Sequence, residues 1–503
     1  MDQNEAPLLD ALAEYHRLNR YGYTPPGHRQ GRGADPRTLE VLGADTFRSD
    51  VLSTAGLDDR KSSGGFLSKA EELMAEAVGA DKAFFSTCGS SLSVKASILA
   101  VTRGSGDLLI GRDAHKSVVA GVILSGLQPR WITPRWDREL HIAHPPSPEE
   151  VEKMWQRYPD AAAALITSPT PYGTCADIGK IAEICHKRGK PLIIDEAWGA
   201  HLPFNDRLPT WAMDAGADIC VVSVHKMGMG FEQGSIYHLQ GSLVDPVRLS
   251  QCADLLSTTS ANVMIYAAMD GWRRHMVQDG EVLLEKTLNL AENVRSDIEA
   301  MTGLHVLGPE LVHAEASHDL DPLHVLIDVA GLGISGYQAA DWLRAHCHID
   351  VGLNDHRRIE ATLSQSDDEE TTERLLTSLQ QLIEAAPQMP EPTPVQLPDP
   401  EDLEMATVML PRDAFFGPVE NVPAEEAAGR VAAEQITPYP PGIPAILPGE
   451  RINQAVVEYL RTGVAAGMVL PDPADASMKT IRVVRSEERR VGKECRSRWS
   501  PYH

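Results

Sequence analysis

Four segments of the sequence end an apolar run in residues that can bind or react. "DICVVSVHK" ends in Ser223, His225 and Lys226, and Gly228, Gly230 and Gly234 follow it. A lysine held out of water has a lowered pKa and can attack a carbonyl to form a Schiff base. "PLIIDEAWGAH" closes its apolar run with Asp195, whose carboxylate can hold a proton on a ring nitrogen. "LLIGRDAHKS" ends near His115, a flat ring able to stack on a planar ligand. "FFSTCGSSLSVKASILA" places Gly89, Ser90 and Ser91 at the turn into a helix, where free N–H groups and hydroxyls can cradle a phosphate.

Each of these has an ordinary alternative when taken singly. Ser90 could be a helix cap, His115 a satisfied structural histidine, Asp195 a cap or turn residue, and Lys226 a surface lysine. No Gly-x-x-x-x-Gly-Lys run is present, so a nucleotide P-loop is not expected. Their order carries more than any one of them: phosphate cup, stacking ring, aspartate, then a lysine 31 residues further on. Those are the parts needed to hold pyridoxal 5′-phosphate. On this reading a rigid strand holds Lys226 still, and the glycines let the backbone pass close to the cofactor.

The elements that must position these residues can be read from period and punctuation. "LSKAEELMAEAVGA" is an amphipathic helix closed by glycine, and "DIGKIAEICHKRGK" is a second helical stretch. "KAFFST", "DLLIGR", "AALITSP", "PLIIDEA" and "DICVVSV" read as short strands. Strands alternating with helices predict an α/β fold, a mostly parallel sheet covered on both faces, with ligands at the carboxyl ends of its strands. The expected divisions are an N-terminal arm over 1–35, a major cofactor-binding domain over 36–300 and a small α+β domain over 301–386. A linker with six prolines follows over 387–402, then a C-terminal α+β domain over 403–485. Within the arm, "YGYTPPGHRQGRGADP" reads as neither helix nor strand, and residues 281–300 read as a long charged-faced helix. Residues 486–503 carry five Arg or Lys against three Glu and continue no apolar period, so they are expected to be a non-native extension.

Composition narrows the function classes. The 46 basic against 71 acidic residues give a net charge of −25, which argues against nucleic-acid or anionic-membrane partners. The seven cysteines are scattered without metal-type spacing, so no metal site is expected. There is no leader-like start and no apolar run of the ~18 residues that a membrane span needs. A cytoplasmic protein acting on a small molecule is the expectation.

The motifs "PPGHRQG", "LDD", "DAHKS", "DEAWGAH", "SVHK" with "EQGS" after it, "TTS" and "PYPPGIP" with "PGE" together resemble the bacterial Orn/Lys/Arg decarboxylase family of fold-type-I pyridoxal-phosphate enzymes. The likeness runs over about residues 8–485. It implies a basic amino acid decarboxylase in which Ser90 and Ser91 bind the phosphate beside Ser223 and His225. It also implies that His115 stacks on the ring, Asp195 pairs with its nitrogen, Ala197 lies beneath it and Lys226 carries the cofactor. Thr258 and Thr259 would reach the phosphate in a partner subunit, which makes a homodimer with active sites at the subunit interface. Three departures stand out: Arg29 occupies a position where lysine is usual, Trp198 one where many members have histidine, and a receiver-like domain ahead of "PPGHRQG" is not expected. The higher-order assembly of the large inducible members is therefore not expected to carry over.

A basic substrate needs an acidic receptor, and Glu434 and Glu450, flanking "PYPPGIP", are the candidates. Arg357 and Arg358 read as surface or interface residues. They also keep open an aminotransferase, which would clamp a substrate carboxylate with an arginine of the small domain. Another lyase reaction on the same cofactor is a further alternative. A non-catalytic pyridoxal-phosphate-binding protein is the alternative from a different class, although a scaffold has no use for the Asp195–Lys226 pair.

Overall fold

The computed structural model describes residues 1–53, 57, 65–102 and 104–486. Asp58 and Asp59 of the "LDD" motif, and residues 487–503 of the basic end, lie outside the described residues. The centre is a seven-stranded sheet. Its spatial order is Lys82–Ser86, Ser235–Leu239, Ile219–Ser223, Leu192–Asp195, Ala164–Thr167, Asp107–Gly111 and Gln128–Ile132. The last five pair in parallel, and Ser235–Leu239 runs antiparallel to both of its neighbours.

Every residue of Ala164–Thr167, Leu192–Asp195 and Ile219–Ser223 is buried. That is why these strands are continuous apolar runs rather than alternating ones. The strand period of two sorts their side chains onto opposite faces. Ile166, Ile194, Cys220 and Val222 enter one core, while Leu165, Ile193, Ile219 and Val221 enter the other. Truncating one such isoleucine to alanine would cost about 2–5 kcal/mol.

The long helix read from residue 281 begins earlier and spans Val263–Glu299, burying Ile265, Met269, Trp272 and Met276 at helical spacing. It leads to a four-stranded antiparallel sheet of His305–Leu307, His324–Asp328, Arg358–Thr362 and Leu353–Asn354. The helix Glu369–Ala385 packs with this region and starts in a capping box between Asp368 and Thr371. Residues 390–399 form neither helix nor strand. A third core then gathers Val422, Ile436, Ile446, Val456, Leu460 and Ile481 around the ribbon of Val419–Pro423 with Thr480–Val484. Inside the segment read as an arm, Pro7–Arg17 is a helix. Its buried Leu8, Leu12 and Tyr15 follow a spacing too short to stand out in sequence, and Leu8 N–H donates to Asp270 Oδ2 at 2.8 Å.

The third region docks onto the major sheet through "PYPPGIP". Arg112 donates to the Pro444 carbonyl at 2.7 Å and to the Ala445 carbonyl at 3.3 Å, and lies 3.3 Å from Glu450 Oε2. Gly442 is held at φ +89°, and a Cβ there would come within 2.8 Å of His115 Cδ2. Only glycine allows this approach. Burial pushes the Glu450 carboxyl up to about 7 against the pull of Arg112. A raised folded-state pKa contributes stability that is present below the ordinary 4.5 and lost as pH rises through about 7. Glu450→Gln should therefore lose roughly 2–3 kcal/mol of the wild type's fall in stability between pH 5 and pH 8. Urea unfolding of both proteins at the two pH values checks it; equal slopes would contradict the assignment.

Candidate active site

Two neighbouring parallel strands end in Asp195 and in the Ser223–Lys226 turn. The ladder aligns Asp195 with Val221, and Glu196 N–H donates to the Val221 carbonyl at 2.9 Å. Ser223 N–H then donates to the Ala197 carbonyl at 3.3 Å, which carries the pairing past the strand end and sets half-buried Ala197 beside the turn. After Ser223 the chain makes one helical turn, Val224–Met227. Val224 N–H donates to the Gly234 carbonyl at 2.9 Å, and His225 Nδ1 lies 3.1 Å from the same oxygen. This brace fixes the turn that carries Lys226.

Burial lowers the Lys226 amine to about 8, with the Asp195 charge acting in the opposite direction. Burial raises Asp195 to about 6, opposed by Lys226 and a backbone N–H of Ala197. Asp195 Oδ1 is buried with no hydrogen-bond partner among the described residues. A protonated ring nitrogen would satisfy that oxygen and favour its charged form. The Lys226 ammonium lies 4.1 Å from the Trp198 ring centroid, a cation–π distance.

Ser90 and Ser91 open the helix Gly89–Val101, whose start has no side-chain cap of its own. Ser223 Oγ donates to Ser90 Oγ at 2.8 Å, and Ser93 Oγ lies 3.0 Å from Ser235 Oγ. The Ser223 hydroxyl thus meets Ser90 at an uncapped helix start, a chemistry suited to a phosphate, while the Ser93–Ser235 pair ties the helix to the sheet beneath. His115 caps the helix Lys116–Ser125, with its Nδ1 2.9 Å from Ser117 Oγ. Burial, then Lys226 and Lys116, lower its imidazole to about 4, so the ring is neutral and free to stack. The chemistry of Ser90, Ser91, His115, Asp195 and Lys226 fits the phosphate, ring, ring nitrogen and aldehyde of pyridoxal phosphate.

Other residues singled out in the sequence lie elsewhere. Thr258 and Thr259 are exposed beyond the helix Pro246–Leu256, on the surface of this chain. Glu434 Oε1 and Oε2 accept from Arg482 N–H at 2.6 Å and Ala474 N–H at 2.8 Å, so its carboxylate clasps the third region's backbone. Glu450 is fully buried against Arg112. Arg358 is not a surface residue: it is fully buried, donates to the Leu140 carbonyl and lies 3.1 Å from Asp355. Arg357 donates to Asp328 and, at 2.7 Å, to the Glu139 carbonyl. Both guanidinium groups hold internal partners. Sequence reasoning did not find the contact of Lys226 with Trp198, nor Asp472, whose carboxylate lies 2.5 Å from the Lys116 amine beside His115. No local motif marks either, because both are contacts between distant segments.

Residues 6–370 match the Orn/Lys/Arg decarboxylase major domain, and residues 401–472 match the C-terminal domain of the same family. An arginine decarboxylase of Halalkalibacterium halodurans is 36% identical over 97% of this chain and 99% of its own length. An arginine decarboxylase of Bacillus subtilis is 34% identical over the same shares. The solved structure of lysine decarboxylase A from Pseudomonas aeruginosa superposes with a TM-score of 0.78 at 22% identity, covering 95% of this chain and 80% of that one, which shows a shared fold. With both family domains matched in order and the strand-end residues in place, the chain belongs to the Orn/Lys/Arg decarboxylase family and is an amino acid carboxy-lyase.

Proposed function

We propose that the chain decarboxylates arginine with pyridoxal 5′-phosphate, yielding CO₂ and agmatine, an amine from which polyamines are built. Lysine is the second candidate substrate. The observation that carries this reading is the dry pair of Lys226 and Asp195 at adjacent strand ends. Relatives named arginine decarboxylase, at 34–36% identity along nearly the whole chain, favour arginine over the other basic amino acids. The cofactor, when bound, supplies an electron sink for the bond between Cα and the carboxylate. The protein's part is to hold and move protons. Asp195 keeps a proton on the ring nitrogen, Lys226 carries the cofactor and returns a proton to Cα once CO₂ has left, and neutral His115 covers the ring. Ser90, Ser91, Ser223, His225 and the helix start at Gly89 take the phosphate.

In this reading two copies pair in the cytoplasm, and exposed Thr258 and Thr259 of each complete the phosphate site of the other. Ala197 lies under the ring, and of the arm, major, small and C-terminal domains the major one takes the cofactor. Arg357 and Arg358 are held by Asp328, Asp355 and backbone carbonyls, which disfavours the clamp that an aminotransferase would need.

Three measurements test this. Borohydride reduction of the loaded protein followed by peptide mapping should place the cofactor on Lys226, and a label on another lysine defeats the assignment. Asp195→Asn should keep the fold and lower kcat by roughly 100-fold or more, because only the charged carboxylate keeps the ring nitrogen protonated. Near-normal turnover in that variant would remove Asp195 from its role. Independently, arginine should give CO₂ and agmatine in equal amounts. Keto acid without CO₂ from every basic amino acid would favour an aminotransferase instead.

A further inference from the structure

Behind Trp198 lies a buried polar cluster that joins the major region to the small sheet. His324, on the strand His324–Asp328, is fully buried and meets the Trp198 ring edge-on, with centroids 5.1 Å apart. Its Nδ1 lies 3.1 Å from Glu360 Oε1 and its Nε2 3.8 Å from Asp321 Oδ2. Asp321 in turn lies 3.0 Å from His201 Nε2, at the end of the "DEAWGAH" motif. Thr362 Oγ1 donates to Glu360 Oε1 at 2.7 Å, which fixes that carboxylate. Arg295 of the long helix donates to the His324 carbonyl at 2.6 Å and to the Pro322 carbonyl at 3.0 Å. On the other side, Gly173 has φ +82°, and a Cβ there would come within 2.9 Å of His324 Cβ. The ring is held at Nδ1 by Glu360 and at its edge by Trp198, and the backbone behind it by Arg295. Among the described residues no His, Cys, Asp and Glu group is arranged to hold a metal ion, so the cluster is not a metal centre.

We infer that His324 is a positioning residue for the reaction: anchored by Glu360 and Asp321, it seats the Trp198 indole against which the Lys226 amine rests. The inference rests on the reading of Lys226 as the reactive amine. Burying polar groups is costly unless they are paired; here His324 Nδ1 meets Glu360 within hydrogen-bond distance, while Asp321 faces His324 and His201 as an ion partner. The Trp198 ring touches both sides: its centroid lies 5.1 Å from that of His324 and 4.1 Å from the Lys226 amine. Burial works against the His324 proton, but Glu360 and then Asp321 outweigh it and raise the ring's pKa, while Lys226 opposes them. The charged and titratable groups facing this ring are Glu360 and Asp321, with His201 beyond Asp321, Arg295 on the long helix and Lys226 beyond Trp198. Loosening the indole would admit water to Lys226 and favour its ammonium. Losing the His324 imidazole, whose charged form Glu360 and Asp321 favour, acts in the same direction.

The test is the pH profile of acetic anhydride labelling at Lys226, read by peptide mass spectrometry on the full chain freed of cofactor. In the wild type the profile should have its midpoint near 8, where burial places this amine. In His324→Ala and in Trp198→Ala the midpoint should move toward the ordinary 10.5, and labelling at pH 7.5 should fall by about threefold or more. His324→Gln, which keeps a hydrogen-bonding group of similar size, should show a smaller shift in the same direction and serves if His324→Ala does not fold. The combined His324→Ala and Trp198→Ala variant should shift by less than the sum of the two, since the two residues act as one unit. A wild-type profile in folded His324 variants, or full additivity with Trp198→Ala, overturns the inference. A wild-type midpoint near 10.5 would instead overturn the reading of Lys226 on which it stands.

Discussion

Lys226 and Asp195 are opposite charges taken out of water at adjacent strand ends, and burial acts against the charged form of each. Their mutual attraction offsets part of that cost, and Asp195 Oδ1, without a hydrogen-bond partner among the described residues, offers an acceptor for a further proton donor. Such a pair needs a scaffold that does not relax. The parallel core supplies it: strands buried on both faces, with alternate side chains packed into two separate cores. A surface loop would let both groups swing into solvent and return to ordinary pKa values.

The same dryness accounts for what surrounds the pair. His115 is neutral because it is buried between the Lys226 and Lys116 charges, and Gly442 of the third region lies against its ring. That region is drawn down by Arg112 on Glu450 and by Lys116 on Asp472, contacts in which buried or half-buried charges find opposite partners. The small sheet contributes His324 behind Trp198. Three regions distant in the chain thus close around one amine. Closure of this kind excludes water, which strengthens every electrostatic interaction inside the site.

The strands that carry Asp195 and Lys226 were legible because double burial demands an unbroken apolar run, and such runs are plain in "PLIIDEA" and "DICVVSV". Gln128–Ile132 and Ser235–Leu239 escaped reading. The first lies at the sheet edge and interleaves Pro129 and Arg130 with apolar residues. The second begins at Ser235, directly after the glycine-rich turn that ends with Gly234. The helix Pro7–Arg17 was hidden inside a segment whose later half is dominated by Gly, Pro and Arg.

By itself, then, the sequence determined the fold class and the order along the chain of Ser90 and Ser91, His115, Asp195 and Lys226. Those depend on periodicity, turn chemistry and local spacing, which neighbours in the chain set. Tertiary structure alone decided the partners of the buried charges. Arg358 turns inward to the Leu140 carbonyl, Glu434 clasps the backbone at Ala474 and Arg482, and His324 stands behind Trp198. Whether a charged side chain faces water or another charge depends on which distant segment packs against it, and residue type does not encode that.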